Sequence, residues 1–266
     1  MVKRVAVFVL AVGFIICCLG VGWADDNPTT GYKWTGVYAG LNGGWARGMS
    51  DATTTTVFSP TGYFAQSSPP AIASAGSQSL TNNNFTGGIQ AGYNWQFGKF
   101  VVGGEMDFNY LGINDSKSCT AGYPCCSPTT FTIESSIKTD WLFTARPRIA
   151  FALDNWLFYG TGGLAVTRIK ADWTFTDTFA GMYETASESS TKVGWTVGGG
   201  VEMGIGKQWS LKAEYLYTDF GSVSTNGLIS GSTNGPAWVT VAAQNPFAHT
   251  MDLRTHMVRF GINYRF

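Results

Sequence analysis

The chain has 266 residues with 17 basic and 17 acidic side chains, and charged residues make up only 13% of it. That share is about half of what soluble domains carry, and a neutral chain lacks the basic surplus of a general nucleic-acid binder. Aromatic residues reach 15% and glycines number 34, which favours a chain that enters membranes with short alternating strands rather than with helices.

The N-terminus has the three parts of an export signal. Lys3 and Arg4 are basic, residues 5–21 are apolar, and Gly22 and Ala24 are small residues at the two positions that a signal peptidase reads. The sequence therefore predicts a signal peptide at 1–24 and a mature domain at 25–266. An uncleaved membrane anchor is the alternative, because the apolar run approaches the roughly 18 residues that a spanning helix needs.

Downstream of the signal, apolar and polar residues alternate in eight segments. A period of two gives a strand one apolar face and one polar face. The faces of the fifth segment stay open, because its alternation is weak. The eight predicted strands lie at about 34–47, 85–97, 102–110, 137–151, 156–173, 192–203, 209–218 and 256–266.

Short turns and long polar segments alternate between these strands. Turns are predicted near Gly98, Asp154 and Gly206. Short turns on one side and long loops on the other are the layout of an outer-membrane barrel, and an even strand count places both termini in the periplasm. A lipocalin-like or sandwich fold is the soluble alternative, and its charged face would point to water. The predicted loops lie at about 48–84, 112–135, 175–191 and 220–250.

The last strand alternates most regularly. Val258, Phe260, Ile262, Tyr264 and Phe266 fill every second position, and the sequence ends on the last of them. A terminal aromatic residue on an alternating strand resembles the assembly signal of bacterial outer-membrane β-barrels. We therefore predict that this strand binds the barrel-assembly machinery as well as closing the barrel.

The polar faces of the predicted strands carry charges of both signs. An eight-stranded barrel is only wide enough for its own side chains, so inward charges must be paired. Two interpretations stay open: a salt-bridged plug that keeps the barrel closed, and a narrow polar path for ions or small solutes. The predicted interior charges are Glu105, Asp107, Lys138, Asp140, Arg146, Arg148, Lys192, Glu202, Lys212, Glu214, Arg259 and Arg265.

Pro147 interrupts the fourth predicted strand. Proline cannot donate a ladder hydrogen bond, and a closed barrel has no edge strand on which to place it. We therefore predict a bulge or a locally unpaired carbonyl at Pro147.

The histidines offer little for catalysis. The chain has only His249 and His256, and a deacylase-like site would need a nucleophilic serine beside one of them. Val258 stands two positions after His256, and Asp252 alone does not complete a triad. No enzymatic activity is predicted, and no histidine pattern indicates a cofactor or a metal site.

Three cysteines lie in the second long polar segment. In an oxidising compartment, a disulfide from Cys119 to Cys125 or Cys126 would hold the loop tip together. The remaining thiol would then be free or intermolecular. A three-thiolate metal site is the alternative, although it has no histidine nearby.

Several short glycine- and aromatic-rich motifs follow one another along the chain. Their order and spacing, with the terminal strand, resemble those of small outer-membrane β-barrel proteins of the opacity and outer-membrane immunogenic type, grouped as porin-like proteins of Gram-negative bacteria. The resemblance covers the mature chain, but the long first and fourth loops and the cysteine cluster depart from it. The motifs are WTGVYAGLNGG at 34–44, GGIQAGYNW at 87–95, YGTGGLA at 159–165, GWTVGGG at 194–200 and KAEYLY at 212–217.

The resemblance implies an all-β, transmembrane, antiparallel up-and-down barrel of about eight strands in the outer membrane, in contact with its lipids. It implies an envelope protein, and three functions stay open: a narrow passive conductance for ions or small solutes, binding or adhesion by the surface loops, or a structural role as an envelope anchor. Loops carry partner specificity in such proteins, so the resemblance identifies no extracellular ligand.

Replacing Phe266 with aspartate tests the interpretation of the C-terminus. We expect Phe266→Asp to block assembly and to leave misfolded protein in the periplasm, because a charge breaks the terminal aromatic pattern. Envelope fractionation, combined with the heat-modifiable migration of folded barrels on gels, measures the result. Normal insertion of the variant would show that the terminal strand is not the assembly signal.

Overall fold

The fold is a closed barrel of eight antiparallel strands. The computed structural model describes residues 31–231 and 245–266, and the predicted signal peptide at 1–24 lies outside them. Sequential strands pair with each other and β8 pairs with β1, so the predicted fold class is confirmed. The elements are β1 (Gly36–Thr56), α1 (Ser68–Gly76), β2 (Gln78–Phe97), β3 (Phe100–Gly122), β4 (Thr130–Leu153), β5 (Trp156–Asp177), β6 (Tyr183–Ile205), β7 (Trp209–Leu228) and β8 (Pro246–Arg265). In the described ranges, no helix is long and apolar enough to cross a membrane.

In the lower half of the barrel, next to the short turns, the apolar face points outward. Trp45 is 64% exposed and stands between Phe85 on β2 and Val258 on β8, which are 57% and 47% exposed. The alternate residues Tyr38 and Asn42 point inward and are buried. These are the faces that the alternation predicts for β1, and large exposed apolar side chains of this kind need lipid around them.

The three short turns lie where the sequence predicts them. β2 turns into β3 at Gly98, β4 turns into β5 at Asp154, and β6 turns into β7 at Gly206. Gly98 and Gly206 have φ angles of 60° and 65°, a conformation that glycine adopts without strain. The turns therefore fix the register of three hairpins at this end of the barrel.

Strands extend into all four long segments that were predicted as loops. β1 continues to Thr56, β3 continues to Gly122, β6 begins at Tyr183 and β7 continues to Leu228. The connections shorten to 57–77, which contains α1, to 123–129, to 178–182, and to a last one that lies partly outside the described residues. The predicted strands are too short, because they were defined by an apolar outer face and this part of the chain lacks one.

The polarity of the barrel reverses along its axis. β5, whose faces the sequence left open, shows the change within one strand: Leu164 points outward in the lower half with 55% exposure, whereas Lys170 points outward in the upper half. The inward residues of the upper half are mostly apolar, and Ile169 and Trp173 are each 1% exposed. An apolar interior with a polar exterior is the pattern of a barrel in water, so only the lower half is built for lipid.

Three β-bulges lie close to the height at which the polarity reverses. Each one inserts a residue into one strand of a pair, and a shift of one residue exchanges the two faces of that strand. On β4, residues on opposite sides of the bulge therefore do not follow one continuous alternation. The register shifts lie between Tyr110 and Ile113 on β3, Lys138 and Leu142 on β4, and Asp219 and Ser222 on β7.

Above the bulges the barrel separates into two sheets. The ladder between β2 and β3 ends at Gly87–Tyr110, and the ladder between β6 and β7 ends at Trp195–Asp219. β7, β8, β1 and β2 continue as one four-stranded sheet, and β3 to β6 continue as the other. An isolated backbone bridge between Tyr183 and Ser230 joins them again near the top. The apolar core of the upper half lies between these two sheets.

Pro147 does not produce the predicted bulge. It pairs with Gly104 on β3, and the ladder with β5 keeps its register from Ala145–Leu164 to Arg148–Thr161. The Pro147 carbonyl accepts a hydrogen bond from Thr161 Oγ1 at 2.8 Å. The carbonyl of Pro147 itself is therefore paired, although this hydroxyl does not replace the N–H donor that proline lacks.

Arginine substitutions on the two halves test the polarity reversal. Val197 and Leu211 are 48% and 43% exposed on the lower exterior, so Val197→Arg or Leu211→Arg should destabilise the folded protein by about 2–4 kcal/mol if they face the centre of the bilayer. Thr185→Arg, on the upper exterior, should change stability by less than about 0.5 kcal/mol. Reversible urea unfolding in lipid vesicles measures both. If Thr185→Arg destabilised the protein as much as Val197→Arg or Leu211→Arg, the assignment of the lower half to lipid would be wrong.

Candidate functional site

Eight charged side chains meet inside the lower half of the barrel, and we call this group the ionic hub. Four are cations and four are carboxylates, so the hub is neutral. They come from β3, β4, β6, β7 and β8, and each residue is at most 3% exposed. The members are Glu105, Asp107, Arg146, Arg148, Glu202, Lys212, Glu214 and Arg259.

Arg146 lies at the centre of the hub. Its Nη2 is 2.8 Å from Glu105 Oε1 and 2.7 Å from Asp107 Oδ2, and its Nη1 is 3.2 Å from Glu214 Oε1. Arg259 contacts two of the same carboxylates, with its Nη1 3.0 Å from Asp107 Oδ1 and its Nη2 bound to Glu214. A planar guanidinium with five donors suits such shared contacts. The two arginines therefore hold three carboxylates together.

Lys212 and Arg148 complete the pairing. Lys212 Nζ is 2.6 Å from Glu105 Oε1, and Arg148 Nη2 is 3.2 Å from Glu202 Oε2. Arg148 Nε donates to Asn94 Oδ1 at 2.8 Å. Every charge of the hub thus has a partner of opposite sign, as the low dielectric of a barrel interior requires.

Two tyrosines of the hub were missed by the sequence analysis. The rings of Tyr38 and Tyr159 lie 4.9 and 5.0 Å from the Arg148 guanidinium carbon, and their hydroxyls donate to Glu105 and Glu214 at 2.8 and 2.9 Å. Each tyrosine stands directly across from an inward glycine. A Cβ at Gly92 or Gly200 would lie 2.4 or 2.6 Å from the tyrosine Oη. An inward tyrosine opposite an inward glycine is the sequence signal that identifies such a position.

Apolar layers close the barrel on both sides of the hub. Below it, Trp34 and Leu157 are buried and fill the end next to the short turns. Above it, Leu216 and Met257 belong to the large apolar cluster of the upper half. At the top, Phe64 packs edge-on against two further phenylalanines. The described interior is therefore filled at every level.

Lys138 and Asp140 do not lie in the interior, and their prediction is wrong. Their side chains are 49% and 53% exposed, and Lys138 Nζ is 3.7 Å from Asp140 Oδ1. The prediction extended the alternation from Arg146 back through β4 without an interruption. The bulge between Lys138 and Leu142 exchanges the faces at this point and turns both charges outward.

Lys192 and Arg265 lie at the two ends of the lower half, outside the hub. Lys192 is half-buried and donates to the Ser222 carbonyl at 2.7 Å. Arg265 is half-buried, and its guanidinium carbon lies 4.5 Å from the centroid of the Tyr32 ring. Both follow the predicted alternation, but neither forms an ion pair with the hub.

His249 lies in the upper apolar core. Its Nδ1 is 3.0 Å from Thr54 Oγ1 and its Nε2 is 3.2 Å from Glu184 Oε2. A hydroxyl, an imidazole and a carboxylate in this order have the chemistry of a catalytic relay. All three residues are at most 1% exposed between the two sheets, so a substrate has no access to them.

His256 is not paired with Asp252. Its Nδ1 is 2.6 Å from the hydroxyl of Tyr215, whereas Asp252 contacts Arg254 and accepts a hydrogen bond from the Asp51 backbone amide at 2.7 Å. The triad fragment that the sequence left open is therefore not assembled.

The disulfide joins two adjacent cysteines. Cys125 is bonded to Cys126, and Cys119 is a free, half-buried thiol. The prediction of a bond from Cys119 is wrong, because Cys119 lies within the β3–β4 ladder opposite Ile133 while the other two lie in the connection beyond it. Within the described ranges, no group of His, Cys, Asp and Glu could hold a metal ion.

The connections at the top of the barrel enclose a surface cavity of about 320 Å³, which we call the loop-end cavity. Three connections contribute to it: Phe58 and Tyr63 come from the first, Tyr123 and the cysteine pair from the second, and Phe179 from the third. No local pattern in the sequence indicates this cavity, because it forms between segments that are far apart in the chain.

An apolar exterior band, a neutral polar hub and closed eight-stranded topology together define an outer-membrane β-barrel. Comparison with known families agrees with this class. The family model for the outer membrane protein beta-barrel domain matches residues 14–266, and the chain belongs to this family.

Relatives of this chain are outer-membrane proteins. It is 32% identical over 241 residues to the 31 kDa outer-membrane immunogenic protein of Brucella melitensis, which covers 90% of this chain and 86% of that protein. It is 33% identical over 138 residues to the 22 kDa outer membrane protein of Rhizobium leguminosarum, with 52% and 54% covered. The chain is also similar to the crystal structure of OprG from Pseudomonas aeruginosa, with 12% identity and a TM-score of 0.42. That alignment covers 89% of this chain and 99% of the OprG chain. The resemblance to outer-membrane immunogenic proteins is thus confirmed.

Removing one cation tests the hub. Arg146→Met should destabilise the barrel by about 3–5 kcal/mol, because it leaves Glu105, Asp107 and Glu214 short of a buried partner. Lys138→Met is the matched control on the same strand, and it should change stability by less than about 1 kcal/mol because that lysine is exposed. Urea unfolding followed by tryptophan fluorescence measures both. An unchanged stability of Arg146→Met against urea would show that the hub does not stabilise the fold.

Proposed function

We propose that this outer-membrane protein is a closed, non-conducting barrel that displays a binding surface at its loop end. The filled interior carries the proposal: the ionic hub lies between two apolar layers, and its members are at most 3% exposed. An ion crossing the barrel would need a continuous column of water, and paired charges between apolar layers leave no path for one.

A narrow conductance is the second candidate, and the polar hub is the feature that favours it. A permeating ion would have to replace contacts such as Lys212–Glu105 at 2.6 Å or Arg146–Asp107 at 2.7 Å. Breaking a buried pair costs about 3–5 kcal/mol, and the hub offers several pairs in succession. The apolar layers above and below add a second barrier, so the closed barrel fits the interior better.

The length of the strands supports a role for the loop end. β2 has 20 residues and β4 has 24, whereas a tilted membrane strand needs about 9–11. Roughly half of each strand therefore extends beyond the bilayer, and its polar exterior suits water. A structure that raises its connections this far above the lipid is suited to present them to partners.

In this proposal the short turns and both termini lie in the periplasm, and the signal peptide at 1–24 is removed during export. The apolar face of β8 supports recognition by the assembly machinery: Val258, Phe260 and Ile262 are 47%, 56% and 41% exposed, and Phe266 is 75% exposed. The protein is non-enzymatic in this proposal, since its one histidine relay is sealed between the sheets.

Planar-bilayer recording of the refolded mature protein, residues 25–266, tests the closed barrel. We expect no discrete current steps, because the hub and the apolar layers leave no water column. Protease protection of the reconstituted protein shows separately that it is inserted. Reproducible steps that scale with inserted protein would contradict the proposal and favour the narrow conductance.

A further inference from the structure

The loop-end cavity has walls of aromatic rings set at steep angles to each other. The Tyr63 ring centroid is 5.3 Å from that of Phe64 and 6.1 Å from that of Phe179, with interplanar angles of 71° and 54°. Phe58 and Phe179 remain 46% and 47% exposed at its mouth. The cavity is therefore lined by aromatic side chains that are not parallel to each other, and we call this lining the aromatic box.

Asp177 organises this box. Its Oδ2 accepts hydrogen bonds from the hydroxyls of Tyr63 and Tyr123, the latter at 3.1 Å, so it joins the first and second connections. Its Oδ1 accepts from the backbone amides of Ala180 and Met182 at 3.3 and 3.0 Å, which fixes the third. Burial and this carboxylate raise the pKa of Tyr63 and Tyr123, so both phenols stay protonated and keep donating.

Further contacts hold the first connection in place. The backbone amide of Tyr63 donates to Asn245 Oδ1 at 2.6 Å, and Asn245 Nδ2 donates to the Val57 carbonyl at 2.7 Å. Asn245 itself is fully buried. The Cys125–Cys126 pair closes another wall. The cavity is thus pre-formed, and a ligand would not have to order it.

The electrostatics of the cavity point to a cation. Among the described residues that line it, none is charged. The rings present negative π-faces, and the carboxylate of Asp177 is bound by phenols and backbone amides, with no ion pair to a cation in the described ranges. Donation of the two phenols to a carboxylate polarises both rings further in the same direction. A negative, largely apolar box favours an organic cation over an anion.

We propose that the loop-end cavity binds a quaternary or methylated ammonium group, such as that of choline. Several aromatic faces around one site are the usual means of recognising such a group, whose charge is spread over methyl groups and needs few hydrogen bonds. The cavity, at about 320 Å³, lies at the small end of ligand pockets, which suits a single head group. The inference rests on the proposed loop-end binding surface and names its ligand class.

Titration calorimetry with choline tests the site on the full mature protein in nanodiscs of phosphatidylglycerol, which supply no choline. We expect saturable binding of choline and at least tenfold weaker binding of its neutral carbon analogue, in which a tert-butyl group replaces trimethylammonium. Absent binding, or equal binding of the two compounds, would overturn the proposal. If choline does not bind and the planar bilayer shows no current, only the proposed ligand is wrong. If current steps appear, the proposed closed barrel is wrong.

Ring substitutions assign the binding to the cavity. Phe58→Leu and Phe179→Leu keep apolar bulk but remove a π-face, and each should weaken choline binding about fivefold. Phe97→Leu is the matched control, because Phe97 is 60% exposed at the opposite end of the barrel. Unchanged thermal unfolding of the variants shows that they fold. Equal affinities in the cavity variants and the control would overturn the assignment.

Two sources could supply the ammonium group: a free organic cation, or the head group of a choline lipid in another membrane. Capture of phosphatidylcholine vesicles by the immobilised nanodiscs, with phosphatidylglycerol vesicles as the control, distinguishes them. Capture that is lost in Phe58→Leu supports a lipid head group. Choline binding without vesicle capture supports a free cation.

Discussion

Four buried carboxylates and four buried cations have to neutralise each other inside a ring of strands, and the lower half of the barrel is arranged around that requirement. Arg146 and Arg259 share Asp107 and Glu214, and Lys212 and Arg148 hold the remaining carboxylates. Contacts such as Arg259–Asp107 and Lys212–Glu105 exist only when the barrel is closed, because they join β8 and β7 to β3 across the interior. Closure in turn leaves the apolar faces outside, where only lipid can cover them.

The upper half satisfies the opposite condition. There the apolar residues lie between two four-stranded sheets, and the polar residues face water. One chain therefore contains a membrane barrel below and a structure of water-soluble type above, and bulges on three strands mark the change. The arrangement lifts the loop-end cavity away from the lipid on a rigid support. A closed interior and an elevated, pre-formed cavity are both consistent with the proposed binding surface at the loop end.

Much of the lower half could be predicted from the sequence, because strand alternation is a local property. The inward positions of Glu105, Asp107 and Glu214 follow from a period of two along β3 and β7. The alternation fails at Lys138 and Asp140, because a bulge adds one residue and nothing in the local sequence announces it. The upper strands were taken for loops because Ser- and Thr-rich alternation resembles loop composition when the partner sheet is unknown.

The sequence by itself determined the barrel class, the eight strands, the three short turns and the outward apolar face of the last strand. Each follows from side chains alternating along one segment. The tertiary structure decided which charges pair, which cysteines are bonded, and where aromatic residues of three connections meet around Asp177. Those outcomes depend on distances between residues far apart in the chain, and such distances are set only when the strands close into a barrel.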